Sequence, residues 1–252
     1  MDLDLDLRAR TRAREKRQEL LLGDGPINDI FLLIESLGII LFKKPFESQS
    51  LSALFMKDSK NYIMVINSNK TLGHQIYSAA HELSHFFFDK GIKGGVCSVN
   101  ASKDTIEVLA DKFAEYFLMP DETIVKELDK KLIDGKELDV FDIIYLQHYF
   151  KVSWKAILIK LKKLGYIKDI NKYNNIGITK LTAALGYNTD LVTVTKEQYI
   201  SKKYLEKALK CYDSYEISEK RLEEYLNDVD ISITNMDLEW ENNGVQEACI
   251  DE

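Results

Sequence analysis

The sequence predicts an α+β protein, with a small antiparallel sheet laid against a helix that carries two of the chain's four histidines. Three observations predict it. Strand-like apolar runs cluster between residues 39 and 68. From about residue 139 onward the apolar spacing is helical. Between these regions "SAAHELSHFFFDKG" (78–91) sets His81 and His85 one helical turn apart among apolar neighbours.

Taken in order, residues 1–23 read as a charged N-terminal tail. Its run "RARTRAREKR" (8–17) is basic enough to contact nucleic acid, but in an acidic chain it reads as a solvated, fraying helix. The folded part begins at "GDGPINDIFLLIESLGI", where Pro26 suits a first helical turn and Gly38 a C-terminal cap. "IILFK" (39–43), "LSALFMK" (51–57) and "YIMVINS" (62–68) read as strands, the last two joined by the hairpin turn "DSKN". A helix then runs from about Thr71 to Asp89, followed by the Gly-containing loop "GIKGGVCSVNAS". A second helix spans about Thr105 to Leu118. Pro120 ends it and starts a third, "DETIVKELDKKL". Residues 24–135 thus form a core. Residues 136–170 read as helix, short turn, helix, and 171–233 as a C-terminal helical region with Ser201 and Ser218 placed as N-caps. Residues 234–252 are an acidic tail.

Composition narrows the class. A chain of 252 residues can bury a sizeable core in one large or two small domains. At 45% hydrophobic and 30% charged it is globular rather than disordered. A net charge of -7 and a pI near 5.3 argue against a coat for nucleic acid, while allowing a local basic patch. No run approaches the roughly 20 apolar residues of a membrane span, so no membrane role is expected. The N-terminus lacks an apolar core followed by a small-residue cleavage site. Cys97, Cys211 and Cys249 are far apart and form no C-x-x-C pair, so they read as free thiols of a cytoplasmic protein.

The histidine helix carries the chemistry. Residues i and i+4 share a helix face, so His81 and His85 can present two imidazoles to one ion, Zn2+ being the usual choice. Glu82 lies about 100° around the helix. From there it can take a proton from a water beside the ion without ligating the ion itself. Random placement of four histidines would give H-E-x-x-H in about 0.4% of such chains, so chance is a weak competitor. The bland alternative is a buried helix with two satisfied histidines. It fits poorly with so apolar a setting, where such polar groups need a partner. A catalytic zinc takes three protein ligands, so one must come from elsewhere. The second helix offers Glu107, Asp111 and Glu115 along one face. Spacing leaves Glu107 and Asp111 both open as the ligand, and Glu107 could instead close a capping box with Asp104.

Together, "AAHELSHFFFDKG" and "IEVLADKFAEYFLMP" resemble the ImmA/IrrE family of zinc metallo-endopeptidases. Its pattern E-x-x-A-[ND]-x-F-A-x-x-L-L-M-P maps onto Glu107, Ala110, Asp111, Phe113, Ala114, Leu118, Met119 and Pro120. The likeness covers about residues 26–170. It implies a zincin-like core with the sheet against the histidine helix, and Glu107 as third ligand beside His81 and His85. Two departures stand out. Ser84 replaces the usual glycine of H-E-L-G-H, and His74 and Ile76 stand where basic residues are usual. The resemblance also implies a substrate, a helix-turn-helix repressor cleaved to regulate transcription or a mobile element.

Residues 139–167 could form a DNA-binding helix-turn-helix, with Lys155, Lys160, Lys162 and Lys163 on phosphates. A helical hairpin that buries Ile157, Leu158, Leu161 and Leu164 is the preferred reading, because the second helix has few base-reading side chains. His148, Tyr77 and Tyr116 are candidate oxyanion donors, each with a plain structural alternative. The expected function is therefore a zinc endopeptidase acting on a protein, with Glu82 as the catalytic base. The alternative is a metal-binding regulator that docks to DNA or a partner protein without cutting it.

Overall fold

The three predicted strands form in the structure, a computed structural model that describes residues 2–48, 50–57, 61–89, 94–98, 105–132 and 137–228. They are β1 (Ile40–Lys44), β2 (Leu51–Lys57) and β3 (Tyr62–Asn67). β2 and β3 pair antiparallel, but β1 runs parallel to β3, with Phe42 opposite Val65. The sheet is therefore mixed rather than antiparallel as predicted. Asn67, 1% exposed at the end of β3, ties down the link that crosses from β1 to β2. Its Oδ1 accepts the Phe46 amide (3.0 Å) and its Nδ2 donates to the Leu51 carbonyl (2.8 Å). That side-chain bonding carries the chain past β3, which local spacing does not encode.

Two strands were not foreseen. β4 (Gly94–Ser98), inside the predicted Gly-containing loop, pairs with β2, and β5 (Tyr199–Ile200) pairs with β1, giving the order β4-β2-β3-β1-β5. The Ser201 hydroxyl, predicted to cap a helix, accepts the Leu41 amide at 3.1 Å. Most of the predicted turn "DSKN" lies outside the described residues.

The N-terminal segment is not a tail. Residues Asp2–Glu19 form helix α1. Leu5, Ala9, Ala13 and Arg17 recur along one face and are buried, so the alanines in the basic run mark the seam. The charges that suggested a solvated segment are the ones that dock it. Asp6 accepts from Lys112 (3.0 Å), Lys163 (2.7 Å) and the Tyr116 hydroxyl. Arg10 pairs with Asp121 at 2.9 Å. Arg17 donates to the carbonyls of Gly23, Gly25 and Phe117.

Helix α2 (Ile30–Ser36) starts later than Pro26 suggested, because Asp29 caps it by accepting the Phe31 and Leu32 amides. Gly38 follows it at φ +80°, the left-handed position foreseen for it. The motif helices are α3 (Leu72–Phe88) and α4 (Thr105–Leu118). α3 packs on β2 and β3 and on α4, and α4 packs on α1. Accordingly α3 is buried on nearly all sides, and its small residues Gly73, Ser78, Ala79 and Ala80 let its neighbours approach. Phe113 and Phe117 of α4 stack at 5.0 Å, and Phe88 meets Phe113 edge-on at 5.6 Å, which locks the two helices together.

Beyond α5 (Asp121–Lys131), helices α6 (Val140–Phe150) and α7 (Trp154–Lys163) form the helical hairpin. Ile157, Leu158 and Leu161 are buried as predicted. Two of the four lysines proposed for DNA are consumed inside the protein. Lys160 is fully buried between Glu115 (2.8 Å) and Asp121 (2.5 Å), and Lys163 binds Asp6 and Glu115. A 3-10 turn (Asn171–Tyr173) and α8 (Ile178–Ala184) complete a first compact unit, residues 1–201, within which the predicted boundaries at 23, 135 and 170 fall. In the second unit, residues 202–252, α9 (Lys202–Asp213) and α10 (Glu219–Asn227) bury Ala208, Leu222 and Leu226. Ser218 caps α10 as predicted. The acidic tail 234–252, with Cys249, lies outside the described residues.

Two stability tests follow from this packing. Burial raises the Asp6 pKa, but the hydrogen bonds from Lys163, Tyr116 and Lys112 outweigh it and hold the carboxyl well below its usual range. A depressed folded-state pKa contributes stability above the unfolded value, near 4, and that contribution is lost as pH falls through the folded value. Asp6→Asn is therefore expected to unfold at lower denaturant than wild type at pH 7, with the difference shrinking steadily below about pH 4. Equal stability at pH 7 would show that α1 is not docked through Asp6. At Gly73 an added Cβ would lie 2.6 Å from the Ser153 amide nitrogen and 2.8 Å from the Val152 carbonyl carbon, both backbone. Gly73→Ala should cost about 1–3 kcal/mol in chemical denaturation, despite alanine's better helix propensity.

Candidate metal centre

The site is built where α3 and α4 face one another. Thr71 caps α3 by accepting the His74 amide, which sets the helical phase of the residues that follow. Two turns on, His81 and His85 project from one face with ring centroids 4.9 Å apart. Both are nearly buried, at 4% and 7% exposed. Glu107, in the first turn of α4, points its carboxylate at the two rings.

The distances fit one cation. His81 Nε2 and His85 Nε2 are 3.1 Å apart. Glu107 Oε2 lies 3.2 Å from His81 Nε2, and Oε1 lies 3.6 Å from His85 Nε2. Donors held about 2.0–2.1 Å from a tetrahedral ion are separated by about 3.3–3.4 Å, so the spacing is close to that of a zinc shell. One donor atom from each of the three residues falls within 4.8 Å of the others.

The far side of each ring strengthens this. His81 Nδ1 meets Asp111 Oδ1 at 2.9 Å, and His85 Nδ1 meets Asp89 Oδ2 at 2.7 Å. An ionised carboxylate can only accept, so each Nδ1 is the donor and each Nε2 turns its lone pair inward. Two lone pairs and a carboxylate then face one another at contact distance. They repel unless a cation or a proton sits among them. Carboxylates behind ligating histidines are the usual means of fixing tautomer and ring orientation at metal sites.

The geometry also separates the two carboxylates that spacing left open. Glu107 faces the inward nitrogens, whereas Asp111, one turn on, reaches only the outward side of the His81 ring. Asp89 was not singled out in the sequence. Its i+4 spacing from His85 at the helix end was the available signal. Glu82 adjoins the cluster through the chain and is 1% exposed.

A cleft of about 370 Å³ adjoins the cluster, lined by His81, Glu107 and Asp111 together with His74, Ser153, Lys155 and Ile159. Tyr77 lines it too, but its hydroxyl donates to the Asp111 carbonyl at 2.8 Å, and burial, then Asp111 and Glu115, raise its pKa. The other two oxyanion candidates are elsewhere. Tyr116 is bound to Asp6 and Lys163 at the α1 seam. His148 stacks on Tyr187 at 4.2 Å and lines a separate cavity of about 350 Å³ behind α3, with Leu72 and Ile76. Burial lowers the His148 pKa and disfavours the charged ring, but its buried Nε2 has no hydrogen-bond partner among the described residues, so it is not the satisfied histidine expected from the sequence.

Comparison with known proteins agrees with this arrangement. No curated protein matches the chain. A family profile, Peptidase_M78, described as the IrrE N-terminal-like domain, matches residues 34–162, just over half of the 252. The matched span opens within α2 and closes within α7, so it contains the sheet's inner strands, both motif helices and the whole His81–His85–Glu107 cluster, while α1 precedes it. With a donor set suited to a metal inside that span, the chain belongs to the Peptidase_M78 family of metallopeptidases, with the IrrE N-terminal-like domain as its core.

Proposed function

We propose that this protein is a zinc-dependent endopeptidase in which His81, His85 and Glu107 hold the ion and Glu82 is the general base. The observation that carries the reading is the convergence of two inward Nε2 atoms and one carboxylate at 3.1–3.6 Å. Zinc, when bound there, supplies Lewis acidity toward the scissile carbonyl. The protein's own groups do the rest. Asp111 and Asp89 keep both imidazoles in the tautomer that presents Nε2. Glu82, one residue from His81 and off the ligand face by about 100°, takes the proton of the attacking water and returns it to the leaving amine. The cleft beside the cluster receives the substrate chain.

On this reading the substrate is a protein. The likeness of the two motifs to the ImmA/IrrE family supports a helix-turn-helix repressor, cut in the cytoplasm to release transcription. The rival reading, a regulator docking to DNA, loses its main support because Lys160 and Lys163 are spent on internal ion pairs. No described helix is long and apolar enough to cross a membrane.

Metal content tests the ligands. The purified protein should carry close to one zinc per chain, and His81→Ala or His85→Ala should lose most of it. Asp111→Asn, behind a ligand, should weaken zinc about 10–100-fold against a competing chelator. Glu107→Gln should weaken it more, with helix stability changed by about 1 kcal/mol or less. The reverse order would make Asp111 the ligand.

Mechanism is tested at Glu82. Glu82→Gln should keep its zinc and still bind the candidate repressor, while cleavage of intact repressor falls about a hundredfold or more. Equal cleavage by wild type and variant would sink the proposed base. Binding without cleavage by either protein would favour the regulator.

A further inference from the structure

The cleft is asymmetric in charge, and Lys155 is the reason. It lines the cleft beside His74, on which its charge acts, and His74 lies two turns of α3 before His81. Of the carboxylates that line the cleft, Glu115 is neutralised by Lys160 and Lys163. Lys155 is exposed and forms no ion pair among the described residues. Among the described residues that line the cleft, Lys155 is the only lysine or arginine. Helix stability does not account for it, since it stands in the first turn of α7, where the helix dipole opposes a cation.

His74 shares the cleft with Lys155. Its Nε2 is 2.9 Å from the Ser52 hydroxyl. Burial first, then the nearby Lys70 and Lys155 charges, pull its pKa below the usual histidine range, so it acts as a neutral hydrogen-bonding wall. Along α3, His74 and His81 are seven residues apart, which spans about 10 Å at 1.5 Å per residue. An extended substrate, at about 3.3 Å per residue, covers that distance in about three residues.

We propose that Lys155, against the His74–Ser52 wall, is a specificity subsite for an acidic side chain about three residues from the bond that is cut. This rests on the endopeptidase reading, and Lys155 is a selecting group rather than a catalytic one. Such a pairing in a half-open cleft is modest in strength and screened by salt.

The test uses the full-length zinc-loaded protein carrying Glu82→Gln, so that binding is read without turnover. The probes are short peptides with an apolar centre, each bearing one Glu or one Lys at a scanned position, competed against a fluorescent peptide. The same peptides are given to catalytically intact protein for cleavage. Glu peptides should bind about tenfold tighter than their Lys counterparts at about the third position from the centre. The preference should shrink at high salt, and Lys155→Glu should invert it. Lys155→Glu removes a dipole conflict at an exposed position, so it should fold at least as well as wild type, checked by its unfolding midpoint and zinc content. Cleavage with a Glu-to-Lys ranking that ignores Lys155→Glu would overturn the subsite and leave the peptidase reading standing. A ranking that follows Lys155 in a protein that cuts none of the peptides would support the subsite and count against the peptidase reading. Failure of every peptide to bind would overturn the subsite, while cleavage of intact repressor decides the peptidase reading separately.

Discussion

Two hydrogen bonds govern this structure, those that Asp111 and Asp89 accept from the outward nitrogens of His81 and His85. They decide which nitrogen of each ring is protonated, and so which faces inward. With both inward lone pairs aimed at one point, the cluster has a strong electrostatic demand for a cation. Everything else in the first unit can be seen as holding those rings and the Glu107 carboxylate at that separation.

The holding is done mostly by packing. α3 is wedged between the sheet and α4, so both histidines are nearly buried, with His81 reaching the cleft. Aromatic contacts between the end of α3 and the middle of α4 fix the relation of the two helices. α1 then backs α4, with Asp6 tying together Lys112 and Tyr116 of α4 and Lys163 of α7. A helix outside the matched family span thus braces the one that carries Glu107.

The charges illustrate how context sets the use of a residue. Lys155 and Lys160 lie on one short helix and look alike in sequence. Lys160 is sealed between Glu115 and Asp121 and serves the fold. Lys155 opens onto the cleft and is available to a ligand. Arg10 and Arg17, in the run that first suggested nucleic acid, are likewise occupied by the protein's own carboxylates and carbonyls.

Much of this was legible in the sequence, because it depends on local periodicity. The strands at β2 and β3, both motif helices, the cap at Ser218 and the turn at Gly38 follow from short-range rules. So does the pairing of His81 with His85, since i and i+4 share a face in any α-helix. What the sequence left open were relations between distant segments. Glu107 and Asp111 share one face of α4, and only the approach of α4 to α3 turns the first toward the inward nitrogens and the second toward the back of a ring. The parallel pairing of β1 with β3 was hidden because it is settled by Asn67 and the crossing link. The docking of α1 was hidden because its charges look solvated until their partners, 106 to 157 residues away, are in place. By itself the sequence determined which residues could bind a metal, because that depends on residue type and helical period. The tertiary structure alone decided which of them face one another, because that depends on how the helices pack.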